Sequence, residues 1–77
     1  MSVQPPRVGY HYHSDLTNAE ASVLSLVGKG MSNAEIGAAL FICPDTVRTH
    51  VKRLHDKLDI HGRARLAIWA YKNRHDA

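Results

Sequence analysis

The densest run of side chains able to act on a ligand is the stretch Cys43-Pro-Asp-Thr-Val-Arg-Thr-His-Val-Lys-Arg-Leu-His-Asp-Lys-Leu58. Projected as a helix at about 100° per residue, Val47, Val51, Leu54 and Leu58 fall in a sector about 60° wide, the stripe of a helix that buries one face. Opposite them lie Asp45, Thr49, Lys52 and Asp56. Arg48 stands on one flank, and Thr46, His50, Arg53 and Lys57 stand on the other. Guanidinium, ammonium and hydroxyl donors crowded onto one outward surface suit an anionic partner. Pro44 fits a first helical turn, where its missing N–H has no partner to lose, so the helix is predicted over residues 44–58.

Other chemistry finds less support. His11 and His13 could be two metal ligands, but no further ligand stands at a supporting spacing. His50 lies beside the apolar stripe, where a structural hydrogen bond close to any bound phosphate suits it better than pH sensing or metal binding. His55, His61 and His75 are expected to be exposed and incidental. A helix N-terminus can activate a thiol such as Cys43, but a small, half-buried cap substitute is the simpler reading. Asp45 and Asp56 lie three turns apart with no nucleophile between them, and Asp45 complements the helix dipole. The six histidines supply no convergent ligand set for a metal-dependent hydrolase. No catalytic constellation, cofactor site or metal site is predicted.

Seventy-seven residues allow one small domain. The single Cys rules out an internal disulfide and fits a reducing compartment. With no apolar run of membrane-spanning length and no signal-peptide pattern, the expected location is the cytoplasm. The net charge of +3 is unevenly spread: residues 1–47 carry two basic and four acidic side chains, residues 48–77 eight basic and three acidic. A basic C-terminal half points to nucleic acid or an acidic surface.

The elements that must position these groups are legible. Residues 1–15, with Pro5, Pro6 and Gly9 and no apolar period, read as a flexible tail or linker, and residues 16–77 as the domain. Thr17-Asn-Ala-Glu20 is a capping box opening a first helix that buries Val23, Leu24 and Val27, helped by Leu26, and ends at Gly30 as a left-handed cap. Ser32-Asn-Ala-Glu35 opens a second, short helix running to about Leu40. Phe41 and Ile42 then lead to Cys43, the predicted cap of the 44–58 helix. A short helix, a tight connection and a longer basic helix make a helix-turn-helix. A fourth helix, from about Arg63 to Lys72, can turn Leu66, Ala67 and Ala70 inward, which leaves Ile68 and Trp69 on other sides. The fold class is all-α, a compact four-helix domain.

The residues Leu16-Thr17, Glu20, Val23-Leu24, Gly30, Ser32-Asn33, Glu35-Ile36, Leu40, Thr46-Val47-Arg48, His50-Val51, Lys57-Leu58 and Arg63 agree in order and spacing with one family. The chain resembles the LuxR-type (NarL- or GerE-type) helix-turn-helix domain of bacterial transcription regulators, from residue 16 to about 72. That resemblance implies a third helix reading the DNA major groove and a fourth supporting dimerisation. The chain departs from the pattern at Cys43, where Ser or Thr usually caps and whose weaker capping costs about 1 kcal/mol. Gly37 replaces the usual Ala, at a propensity cost of about 1 kcal/mol. Asp59 stands where Gly is common, and Gly62 where Ser often caps.

By resemblance, Arg48, Thr49 and Lys52 are expected to face base edges, with Arg48 able to pair with guanine O6 and N7. Asn33, Thr46, Arg53 and Lys57 are expected at phosphates. Ile68 and Trp69, rimmed by Arg65 and Lys72, are expected to form a homodimer interface; the competing role for Trp69 is packing under the tail beside Tyr10 and Tyr12. The expected function is sequence-specific double-stranded DNA binding by a transcriptional regulator or its excised response-regulator output domain. The alternative is a module of the same fold that contacts RNA polymerase or another regulator without reading DNA.

Overall fold

A computed structural model describes residues 16–73. The expected tail over residues 1–15, the His11 and His13 pair and His75 lie outside the described residues. Four helices follow in order: α1 (Asn18–Gly28), α2 (Asn33–Leu40), α3 (Pro44–Leu58) and α4 (Arg63–Lys72), with no strand among the described residues.

Both predicted capping boxes form. Thr17 Oγ1 accepts from Glu20 N at 3.1 Å while Thr17 N donates to Glu20 Oε1 at 3.0 Å. Ser32 and Glu35 repeat the exchange at 3.1 and 2.8 Å. Each box satisfies two backbone donors that the first turn would otherwise leave unpaired. Gly30 takes the left-handed conformation expected after α1, with φ 83°.

The core draws on every helix: Val23, Leu24 and Val27 from α1, Ile36 from α2, the full Val47, Val51, Leu54 and Leu58 stripe from α3, and Leu66 and Ala70 from α4. Helix α1 packs on all three others, and α2 packs on α3. Because α3 commits its whole apolar stripe inward, its polar arc is fixed facing away from the core.

The departures from the family pattern acquire physical reasons. Gly37 is buried, and a Cβ there would stand 2.6 Å from the Ile42 carbonyl oxygen. That oxygen is backbone in the turn leading to α3, which cannot swing aside as a side chain can. The glycine therefore lets the turn close, and its propensity cost is offset by packing. Gly37→Ala, which by propensity alone stabilises by about 1 kcal/mol, is expected to destabilise by about 1–2 kcal/mol through overpacking. Urea denaturation checks this, and a stabilised variant would show that the turn yields freely.

Gly62 opens α4 at φ 94° without a side-chain cap, a conformation that serine would occupy only with strain. Cys43 caps α3 with no side-chain hydrogen bond, as expected of a thiol, but it is exposed rather than half-buried. Asp59 and Phe41 both end helices in the left-handed conformation, at φ 55° and 61°. Aspartate tolerates that region. Phenylalanine does not favour it, and Phe41 is nonetheless 93% exposed.

Candidate nucleic-acid interface

The outward arc of α3 carries exposed Arg48, Thr49, Lys52 and Arg53, so the three residues expected at base edges share one face. Arg48 Nη1 lies 3.5 Å from Asp45 Oδ1, and both side chains are largely in solvent. An exposed pair of this kind is worth about 0–1 kcal/mol, less than the roughly 1–3 kcal/mol that a bidentate base contact supplies. Asp45 therefore steadies Arg48 without immobilising it. Thr49 Oγ1 donates to the Asp45 carbonyl at 3.2 Å. Its proton is spent on the helix backbone, which leaves the methyl group and the oxygen lone pairs for a partner. Neither Lys52 nor Arg53 has an ion pair among the described residues.

The residues expected at phosphates divide. Thr46 and Arg53 are exposed on one flank of α3. Asn33, in the first turn of α2, accepts at Oδ1 from Arg63 Nη1 at 2.7 Å, while Arg63 Nη2 donates to the Met31 carbonyl at 2.8 Å. This clamp ties α4 to the start of α2 and engages the acceptor end of the Asn33 amide. The donor end, Nδ2, is the one left for an anion. The role of Arg63 was invisible in the sequence, since thirty residues separate it from its partner.

Lys57 is redirected. Its Nζ lies 2.7 Å from Glu20 Oε1, and the Glu20 side chain is only 1% exposed. The sequence placed Lys57 on the outward flank because a helical wheel sees one helix. The buried carboxylate on α1 draws the ammonium inward, and of the residues expected at phosphates Lys57 is the one tied to a buried charge. Burial pushes the Glu20 carboxyl upward, but the Lys57 ammonium and the hydrogen bonds from Thr17 outweigh it and hold the group below the ordinary glutamate range.

Two histidines also depart from expectation. His55 is half-buried rather than exposed, with Nδ1 2.7 Å from the Ile60 carbonyl. A carbonyl only accepts, so the proton is on Nδ1, and the ring closes the end of α3 across the left-handed Asp59. His50 is half-buried beside the core stripe as expected, yet its Nδ1 is buried without a hydrogen-bond partner. His61 is exposed, 3.7 Å from Asp59.

On the outer side of α4, Arg65, Ile68, Trp69 and Lys72 line one groove together with Ile60. Ile68 is 56% exposed, and Trp69 is partly buried against the core. The four residues expected at a dimer interface thus occupy one continuous face. Among the described residues there is no cluster of three or more potential metal ligands, and no helix is long and apolar enough to cross a membrane.

Comparison with known proteins adds a family match. The family described as bacterial regulatory proteins, luxR family, matches residues 14–70. The transcriptional regulatory protein LiaR of Bacillus subtilis is 41% identical over 61 residues, covering 79% of this chain and 29% of LiaR. The uncharacterized transcriptional regulatory protein YhcZ of the same organism is 47% identical over 57 residues, covering 74% of this chain and 27% of YhcZ. The response regulator protein VraR of Staphylococcus aureus is 40% identical over 58 residues, 75% of this chain and 28% of VraR. The chain spans less than a third of the length of these curated relatives.

Proposed function

The chain belongs to the luxR family of bacterial regulatory proteins, and from that premise we propose that it binds double-stranded DNA sequence-specifically as the output domain of a transcriptional response regulator. Helix α3 enters the major groove, where Arg48 and Lys52 donate to guanine edges and Thr49 offers its methyl group to thymine. Asn33, Thr46 and Arg53 hold phosphates and set the register. A second copy docks through the α4 face of Arg65, Ile68, Trp69 and Lys72, so the site is an inverted repeat. The site of action is the cytoplasm, where the DNA is.

The observation that carries this reading is the division of α3. Its apolar stripe is wholly committed to the core, and its outward arc and flanks present three cations, Arg48, Lys52 and Arg53, whose side chains no buried partner holds. Such an arc has no structural use inside the domain. It is disposed to meet a polyanion.

Selection from a random duplex pool at two salt concentrations tests it. Wild type is expected to enrich an inverted repeat, and the Arg48→Ala, Lys52→Ala double variant is expected to lose roughly a hundredfold in affinity for it, from about 1–3 kcal/mol per base contact. Binding that enriches no sequence and vanishes with modest salt would leave only phosphate attraction. The chain would then be a module that contacts RNA polymerase or another regulator.

A further inference from the structure

We propose that His50 is a DNA-contacting residue, donating from Nε2 to a backbone phosphate beside the groove that α3 occupies. This rests on the DNA-binding reading above and adds to it a contact on the flank of the helix.

Thr46, His50, Arg53 and Lys57 follow one another at i, i+4, i+7 and i+11, the same spacing as the core stripe displaced by one residue. They form the seam where the helix leaves the core and meets whatever lies alongside. Lys57, at the far end, is committed to Glu20. What remains is a short row of donors: the Thr46 hydroxyl, the His50 ring and the Arg53 guanidinium. No carboxylate stands in that row.

The His50 ring is anchored by its own burial. Nδ1 is sealed from solvent and has no partner, whereas Nε2 is not sealed and makes no hydrogen bond among the described residues. A buried N–H without an acceptor wastes a donor in a place that water cannot reach. With the ring proton on Nε2, only a lone pair is buried and the outward nitrogen is a donor. The nitrogen that is not sealed thus carries the N–H, in a row whose neighbouring members are a hydroxyl and a guanidinium. Three donors at that spacing suit an anionic oxygen at the wall of the groove. The groove floor is served from the opposite arc, by Lys52 and Thr49. A contact to the wall fixes position and reads no base.

Amide substitutions separate the two ring nitrogens, because a glutamine amide nitrogen reaches about as far as Nε2 and an asparagine nitrogen only as far as Nδ1. His50→Gln is expected to bind within about threefold of wild type, while His50→Asn and His50→Ala weaken binding roughly tenfold, the scale of a hydrogen bond to a charged group. The loss should be equal on the selected site and on unrelated duplex. The slope of log affinity against log salt should stay unchanged, whereas Arg53→Ala lowers it by about one. A scan of duplexes carrying one neutral methylphosphonate each provides an arm that does not depend on a variant folding. One backbone position should weaken wild type and leave His50→Asn indifferent.

The proposal is overturned if folded His50→Asn and His50→Ala bind like wild type. Equal losses in folded His50→Gln and His50→Ala overturn it too, as does a methylphosphonate scan in which every sensitive position affects His50→Asn as it affects wild type. If wild type binds no duplex at all, the DNA-binding reading fails first and this contact falls with it.

Discussion

Leu54→Ala is expected to remove about 3 kcal/mol of stability, a large share of what a domain of this size has. Leu54 is 0% exposed and belongs to the cluster shared by all four helices. Truncation there removes apolar area and leaves a cavity that helices on every side cannot all close at once. The consequence reaches function because Leu54 lies on α3 itself. Binding should weaken in proportion to the unfolded fraction, while saturating DNA draws the chain back to the folded state. Urea denaturation with and without duplex measures both. A loss below about 1 kcal/mol would show a core that collapses around the deletion.

Lys57→Met is the second large effect, at about 2 kcal/mol near neutral pH. Breaking a buried pair by removing one partner costs about 3–5 kcal/mol. Lys57 is 35% exposed, so water screens part of the interaction and the lower figure applies. The cost arises from Glu20, a carboxylate 1% exposed that would keep only its Thr17 contacts. Adding Glu20→Gln should restore most of the loss, since glutamine serves the capping box and leaves no orphaned charge. If the double variant is as unstable as Lys57→Met alone, the lysine acts through its packing and not its charge.

The dependence on pH follows the sign of the Glu20 shift. In wild type the folded carboxyl lies below its unfolded value, so its contribution is present above the unfolded value and is lost as pH falls through the folded one. In Lys57→Met the lowering by the ammonium is lost and only the Thr17 hydrogen bonds oppose burial, so protonating Glu20 costs the folded state less. The two proteins should therefore converge in stability at acid pH. A gap that persists where Glu20 is protonated in both would remove the charge argument.

Much of the fold could be read from single helices taken one at a time. Two capping boxes, a left-handed glycine and the Val47, Val51, Leu54, Leu58 stripe are short-range patterns, and each formed as expected. The outward placement of Arg48, Thr49 and Lys52 follows from the same periodicity. Phe41 escaped notice because its left-handed φ leaves no signature when the residue is neither glycine nor asparagine. His55 escaped because its partner Ile60 belongs to the loop beyond the helix.

The sequence by itself determined the class of fold, the boundaries of the helices and which arc of α3 is free, because these depend on contacts within about a turn of the chain. Tertiary structure decided which polar groups remain available to a ligand. Only the packing of α1 against α3 brings Glu20 to Lys57. The fold likewise brings Arg63 to Asn33, turns Gly37 from a helix-propensity cost into a requirement of the turn, and buries one nitrogen of His50 while leaving the other outward. Charge and hydrogen bonding act through space between residues far apart in the chain, and periodicity along one helix carries no information about what stands across from it.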